Sequence, residues 1–153
     1  MNWLELKLPP PVVALLVAAA MWWLAPMGPR LDSADTLRPW LAMGLVVVGA
    51  GFDVTGLVAF LRRHTTINPL RPANASALVT SGIYRVTRNP MYVGLVCFLT
   101  AWAVWLGAWL AFAGPVVFVL YITRFQIQPE ERVLTTLFGD TYTAYTRRVR
   151  RWL

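Results

Sequence analysis

Apolar and polar positions in this chain separate into long blocks instead of alternating. Four apolar stretches stand out, at about 11–27, 39–61, 91–105 and 108–124. Each is long enough to cross, or nearly cross, a hydrocarbon layer of roughly 30 Å as a helix. A short polar lead with Glu5 and Lys7 precedes the first. Pro9, Pro10 and Pro11 open that span where a missing N–H is harmless, and Trp22 and Trp23 sit at its far end as interfacial aromatics do. A cleavable signal peptide is the competing reading, because Ala18, Ala19 and Ala20 mimic a cleavage site. The weak positive lead and the apolar run beyond the alanines count against it.

The second span contains VVVGAGFD (46–53), whose glycines fit a dinucleotide-binding turn only superficially. They fall at Gly49, Gly51 and Gly56, Val54 occupies the third glycine site, and no strand–helix–strand pattern surrounds them. They read instead as small residues that let a neighbouring helix, or a second copy of the chain, approach closely. Asp53 is a carboxylate inside a span and has two open readings, a functional group or the partner of an arginine. Residues 91–123 run uncharged for about 50 Å of helix, too long for one crossing. The break is expected at Trp105, Leu106, Gly107 and Ala108, making a tight helical hairpin. Ala103, Gly107 and Ala111 favour close packing around it. Pro115 is placed to kink the last span. The chain is then expected to leave the bilayer at Arg124. An amphipathic helix begins at Pro129, Glu130 and Glu131, presents Val133, Leu134, Leu137 and Phe138, and stops at Gly139. A further helical piece carries Tyr142, Tyr145 and the basic end.

Composition sharpens this into an all-α integral membrane protein of one domain. The 153 residues are 58% hydrophobic and 14% charged. So small a soluble domain has no means of hiding that much apolar surface. The net charge of +7 comes from arginine, with Lys7 as the one lysine. Because the arginines flank apolar spans, an anionic membrane is the expected partner and nucleic acid is not. Cys97 has no second cysteine to pair with, and no metal-ligand spacing occurs. Most arginines lie in the segment 62–90 or after 124, while Arg30 and Arg38 face two aspartates on the other side. The positive-inside rule then places both termini and the long loop in the cytoplasm, and the arginine-rich, lysine-poor composition points to a bacterial inner membrane. The two polar segments, 62–90 and 125–153, converge on one face.

That face carries the candidate chemistry. SGIYRVTRNPMYVG (81–94) sets Tyr84, Arg85, Arg88, Asn89 and Tyr92 against an apolar run, where ionisable groups are costly unless paired or liganded. Anchoring of the arginines at lipid phosphates is the simpler alternative. The adjacent acids Glu130 and Glu131 suit an amino group, a ribose diol or a metal, or merely the first turn of a helix.

LVTSGIYRVTRNPMYVG (78–94), EERVLTTLFGDTYTAYTRRVRRW (130–152) and, more weakly, HTTINP (64–69) together resemble the isoprenylcysteine carboxyl methyltransferase family of membrane enzymes. The style is that of its short prokaryotic members, which also resemble phospholipid N-methyltransferases. The resemblance implies S-adenosylmethionine bound on the cytoplasmic side and a lipophilic or membrane-embedded acceptor (a carboxylate, an amine or a thiol) entering from the bilayer, while the packing glycines leave monomer and homodimer both open. It further implies that His64, Asn68, Leu78, Val79, Gly82, Ile83, Tyr84, Arg88, Asn89, Pro90, Tyr92, Glu130, Glu131, Tyr142 and Tyr145 surround the cofactor. Arg88, Glu131 and Tyr92 are the residues expected to carry catalysis, Arg88 by positioning the acceptor. Asn89 stands where the family often has His, and an amide cannot take a proton near neutrality. Two other readings stay open: a non-enzymatic membrane anchor or assembly subunit, and a nicotinamide-dependent reductase, since sterol reductases share a related C-terminal architecture.

Overall fold

A computed structural model describes residues 5–31, 36–63 and 77–153. Among them the protein is all-helical: α1 (Pro10–Leu24), α2 (Arg38–Arg63), α3 (Pro90–Leu106), α4 (Ala113–Ile122) and α5 (Gln128–Arg148), with short 3₁₀ turns at Ala25–Met27, Gly82–Arg85 and Trp109–Phe112. Three of the helical runs are long and apolar enough to span a membrane, and α3 is a shorter apolar helix. Their outer faces expose Leu15, Leu16, Leu41, Val47, Val116 and Leu120, the reverse of a soluble protein, as an integral membrane protein requires. Exposed Trp22, Trp23, Trp40, Trp105 and Trp109 gather where α1, α2 and α3 meet the same end of the bundle. That is the placement of an interfacial belt.

The long uncharged run does break at the expected turn. Gly107 ends α3 in the left-handed region at φ +59°, and its N–H bonds back to Ala103 and Val104. Close packing follows, with Ala103, Ala108 and Ala111 essentially inaccessible. The loop after α1 seals this end, where Leu31 N–H donates to Gly107 O at 2.9 Å and Trp109 N–H donates to Pro29 O at 3.1 Å. A Cβ on Gly107 would run into the Arg38 guanidinium. Gly107→Ala is therefore expected to lose about 1–2 kcal/mol from backbone strain alone, read as a lower melting temperature in lipid nanodiscs.

Pro115 is the third residue of α4. It lies in the first turn of α4, where its missing N–H leaves no gap. The last span and the amphipathic helix are continuous: α4 passes through a π-turn (Thr123–Ile127) straight into α5. Pro129 explains the turn. It has no N–H to give to Phe125 O, four residues back, and that carbonyl accepts the Leu6 N–H instead at 3.1 Å. The polar lead is thereby tied to the start of α5. Glu5, nearly buried, joins it through Arg124 Nη1 at 3.1 Å and Arg132 Nη2 at 2.6 Å. Gly139, at φ +50° and ψ −125°, divides α5 at the residue expected to stop it.

The glycine face of α2 packs within the chain. Gly49 lies against Phe98 and the Gly94 carbonyl, and Gly56 against Met91 and Pro90 of α3. Bare backbones at both contacts let the two helices come close.

Candidate active site

The site is built where the start of α3 meets α5 and the C-terminal strand-like tail. Pro90 begins α3, and the preceding residues turn back against the tail. Arg88 N–H donates to Arg150 O at 3.0 Å, and Asn89 Nδ2 donates to Arg151 O at 2.8 Å. Thr87, fully buried, donates its hydroxyl to the same Arg151 carbonyl. These bonds place the 87–92 segment beside the acids of α5, although about forty residues separate the two in sequence.

Two acid-centred clusters result. Glu131 is clamped by arginines: Arg88 Nη1 lies 3.0 Å from Oε1, while Arg151 donates through Nε to Oε1 at 3.0 Å and through Nη2 to Oε2 at 2.7 Å. Glu130 receives the Tyr92 hydroxyl at 3.1 Å and Gln126 Nε2 at 3.3 Å. Burial lifts the Glu130 carboxyl to about 7, against the lowering pull of the Gln126 and Tyr92 hydrogen bonds and with the Glu131 charge adding to the rise. Tyr145 donates to the Tyr84 carbonyl at 2.7 Å, and the Tyr84 ring meets Phe60 edge-on at 5.5 Å. Burial also pushes the Tyr142 hydroxyl up to about 12. The tyrosines of the described site are therefore neutral walls near neutral pH.

These groups surround a cavity of about 340 Å³, a size suited to a small ligand. Of the residues singled out from sequence, it is lined by Leu78, Val79, Tyr84, Arg88, Asn89, Pro90, Tyr92, Glu130, Glu131, Tyr142 and Tyr145. Gly82 is exposed at φ +63°, and Ile83 packs with Ala59, Val79 and Tyr84; neither belongs to the lining. His64 and Asn68 lie outside the described residues. Sequence reasoning missed Gln126, Leu134 and the Arg151 clamp. Arg151 looked like one of a terminal run of charges, and no local spacing links it to Glu131. Asp53 also lines the cavity, and its Oδ1 is buried without a hydrogen-bond partner. The arginine pairing considered for it is not formed among the described residues.

Residues 37–141 match the sequence profile of the phospholipid methyltransferase family, and they include Arg88, Tyr92, Glu130 and Glu131. The chain belongs to this family of methyltransferases. A Haemophilus influenzae protein whose name states no function is 49% identical over 63 residues, 41% of this chain and all of the other. Protein-S-isoprenylcysteine O-methyltransferase B of Arabidopsis thaliana is 25% identical over 134 residues, covering 84% of this chain and 58% of its own. Methanethiol S-methyltransferase of Pseudomonas deceptionensis is 30% identical over 128 residues, 78% of this chain and 45% of its own. The chain thus spans about half the length of these two named relatives. No solved structure matches it.

Proposed function

We propose that this protein transfers a methyl group from S-adenosylmethionine to a lipophilic or membrane-embedded acceptor at the cytoplasmic face of a bacterial inner membrane. The observation that carries the reading is the cavity itself: the Arg88–Glu131 ion pair and the Tyr92–Glu130 hydrogen bond draw both family blocks around one space. That space lies at the end of the bundle opposite the tryptophan belt, where α3 begins. In this reading α1, α2, α3 and the run of 109–124 make four crossings, and both termini lie with the cavity on the arginine-rich side.

The lining suits the methyl donor. Arg88 Nε is buried without a partner, a donor left open for a ligand carboxylate. Tyr84, Tyr142, Leu78 and Val79 offer flat and apolar walls for an adenine ring, and Glu130 with the tyrosine faces suits positive charge. When bound, the donor supplies an electrophilic methyl on a sulfonium. The chain's own part is to orient the acceptor and exclude water, an effect worth several kcal/mol of barrier. Asn89 works differently from an imidazole: its amide is spent on the Arg151 carbonyl, so it holds the tail in place and moves no proton.

Calorimetric binding of S-adenosylmethionine to protein in nanodiscs tests the reading, and micromolar affinity is expected. Absence of heat with well-folded protein would refute it and turn attention to nicotinamide cofactors. The pH dependence carries a sign. A cationic ligand favours ionised Glu130, so affinity should rise between about pH 6 and pH 8, and Glu130→Gln should flatten the rise. Stability of the free protein should run the other way. The folded carboxyl holds its proton to about pH 7 and the unfolded one to its ordinary 4.5. Its contribution is complete below the lower value and is lost as pH rises through the upper one. Melting temperatures across that window, wild type beside Glu130→Gln, measure it.

A further inference from the structure

Among the described residues, Asp53 is the one carboxylate of the cavity wall that neither an ion pair nor a hydrogen bond holds. Glu131 is clamped by two arginines, and Glu130 is held by Tyr92 and Gln126. Asp53 comes from the middle of apolar α2, and its Oδ1 has no partner. The fold nonetheless makes room for it. Gly94 of α3 faces it, and a Cβ there would strike the carboxylate. Along α2, Gly49 and Gly56 bring the backbones together on either side, so the acid sits at the closest approach of the two helices. Met91 and Leu95, which flank Gly94 on α3, line the same cavity. A carboxylate in such surroundings, with neither ion pair nor hydrogen bond on that oxygen, is costly in the free protein.

We infer that Asp53 receives the proton of the methyl acceptor, and that it selects a thiol or an amine over a carboxylate. The inference rests on reading the cavity as a methyl-transfer site. A carboxylate acceptor beside Asp53 would set two negative charges together in a medium of low dielectric. A thiol or ammonium carries a proton that must leave before its lone pair can attack, and general-base help of this kind contributes about 10²–10⁴-fold. The balance is complete. The acceptor's S–H or N–H proton passes to an Asp53 oxygen, and the new S–C or N–C bond forms from the freed lone pair. The C–S bond of the sulfonium donor breaks, with its electron pair staying on the donor sulfur. Glu131 is less suited to the task, because both its oxygens already accept from arginine.

The test uses the full chain in phosphatidylcholine nanodiscs. Binding of dodecylamine without any methyl donor should be at least tenfold weaker in Asp53→Asn than in wild type. With S-adenosylmethionine present, wild type should methylate dodecanethiol or dodecylamine and leave dodecanoate unmethylated. Asp53→Asn should turn over at least a hundredfold more slowly at unchanged S-adenosylmethionine affinity. Equal amine binding in the two proteins, equal turnover, or methylation of dodecanoate by wild type overturns the inference. The selectivity of wild type needs no variant, so misfolding of Asp53→Asn leaves that arm decisive. If S-adenosylmethionine does not bind, the methyl-transfer reading fails by itself, and the amine measurement still decides the role of Asp53.

Discussion

Arg88→Ala is expected to weaken S-adenosylmethionine binding by more than a hundredfold and to remove methyl transfer. Two roles of the side chain end together in that variant. The guanidinium pairs with Glu131 at 3.0 Å, with the two side chains only 13% and 18% exposed. Its Nε is a buried donor without a hydrogen-bond partner. It also stands next to Asn89 and Thr87, which tie the tail to the cavity. Removing the charged donor that a buried ligand carboxylate would use costs about 3 kcal/mol, and 2.8 kcal/mol is roughly a hundredfold in affinity. Loss of stability should be smaller, because Arg151 still neutralises Glu131. Arg88→Lys should rescue little, since an ammonium cannot reproduce the planar fork. Calorimetry and a melting curve on each variant separate the two effects. A variant that binds normally would show that Arg88 holds only the fold.

Gly94→Ala is the second large effect, and it falls on the α2–α3 contact. The added methyl meets the Asp53 carboxylate and the Gly49 carbonyl, the latter at 3.0 Å. One obstacle is a short side chain and the other is backbone, so neither yields easily. Overpacking of this kind costs about 1–3 kcal/mol, several degrees in melting temperature. Because Asp53 must move, turnover should fall more than tenfold as well. Gly51→Ala, on the facing helix α2, is the control. Nothing lies within 4 Å of its new Cβ, and helix propensity improves by up to about 1 kcal/mol. A destabilised Gly51→Ala together with an indifferent Gly94→Ala would mean that the helices pack through another face.

The contrast between these two glycines shows where sequence reading stops. Both lie in spans and look alike in the chain, yet one opens on empty space and the other on a carboxylate. Similarly, Glu131 was legible as half of an acidic pair at a helix start, but not as the anchor of Arg151, twenty residues on. Glu5 read as part of a polar lead, while its partners Arg124 and Arg132 lie 119 and 127 residues away. Local spacing carries no signal for pairings of that range. The π-turn was similarly hidden, since Pro129 reads from sequence as a helix start and only the Leu6 contact accounts for the carbonyl left free by the continuous helix.

What the sequence determined by itself is whatever depends on one segment at a time. Apolar block length set the helices, Gly107 and Gly139 set their breaks because only glycine takes those dihedrals without strain, and the Arg88–Tyr92 and Glu130–Glu131 blocks named the site. Tertiary structure decided how charges pair and which remain open. How far each carboxylate is desolvated, and what offsets that cost, are set by how the helices pack. Thus Glu131 is neutralised, burial lifts the Glu130 carboxyl to about 7, and Asp53 lines the cavity with one buried oxygen that has no partner.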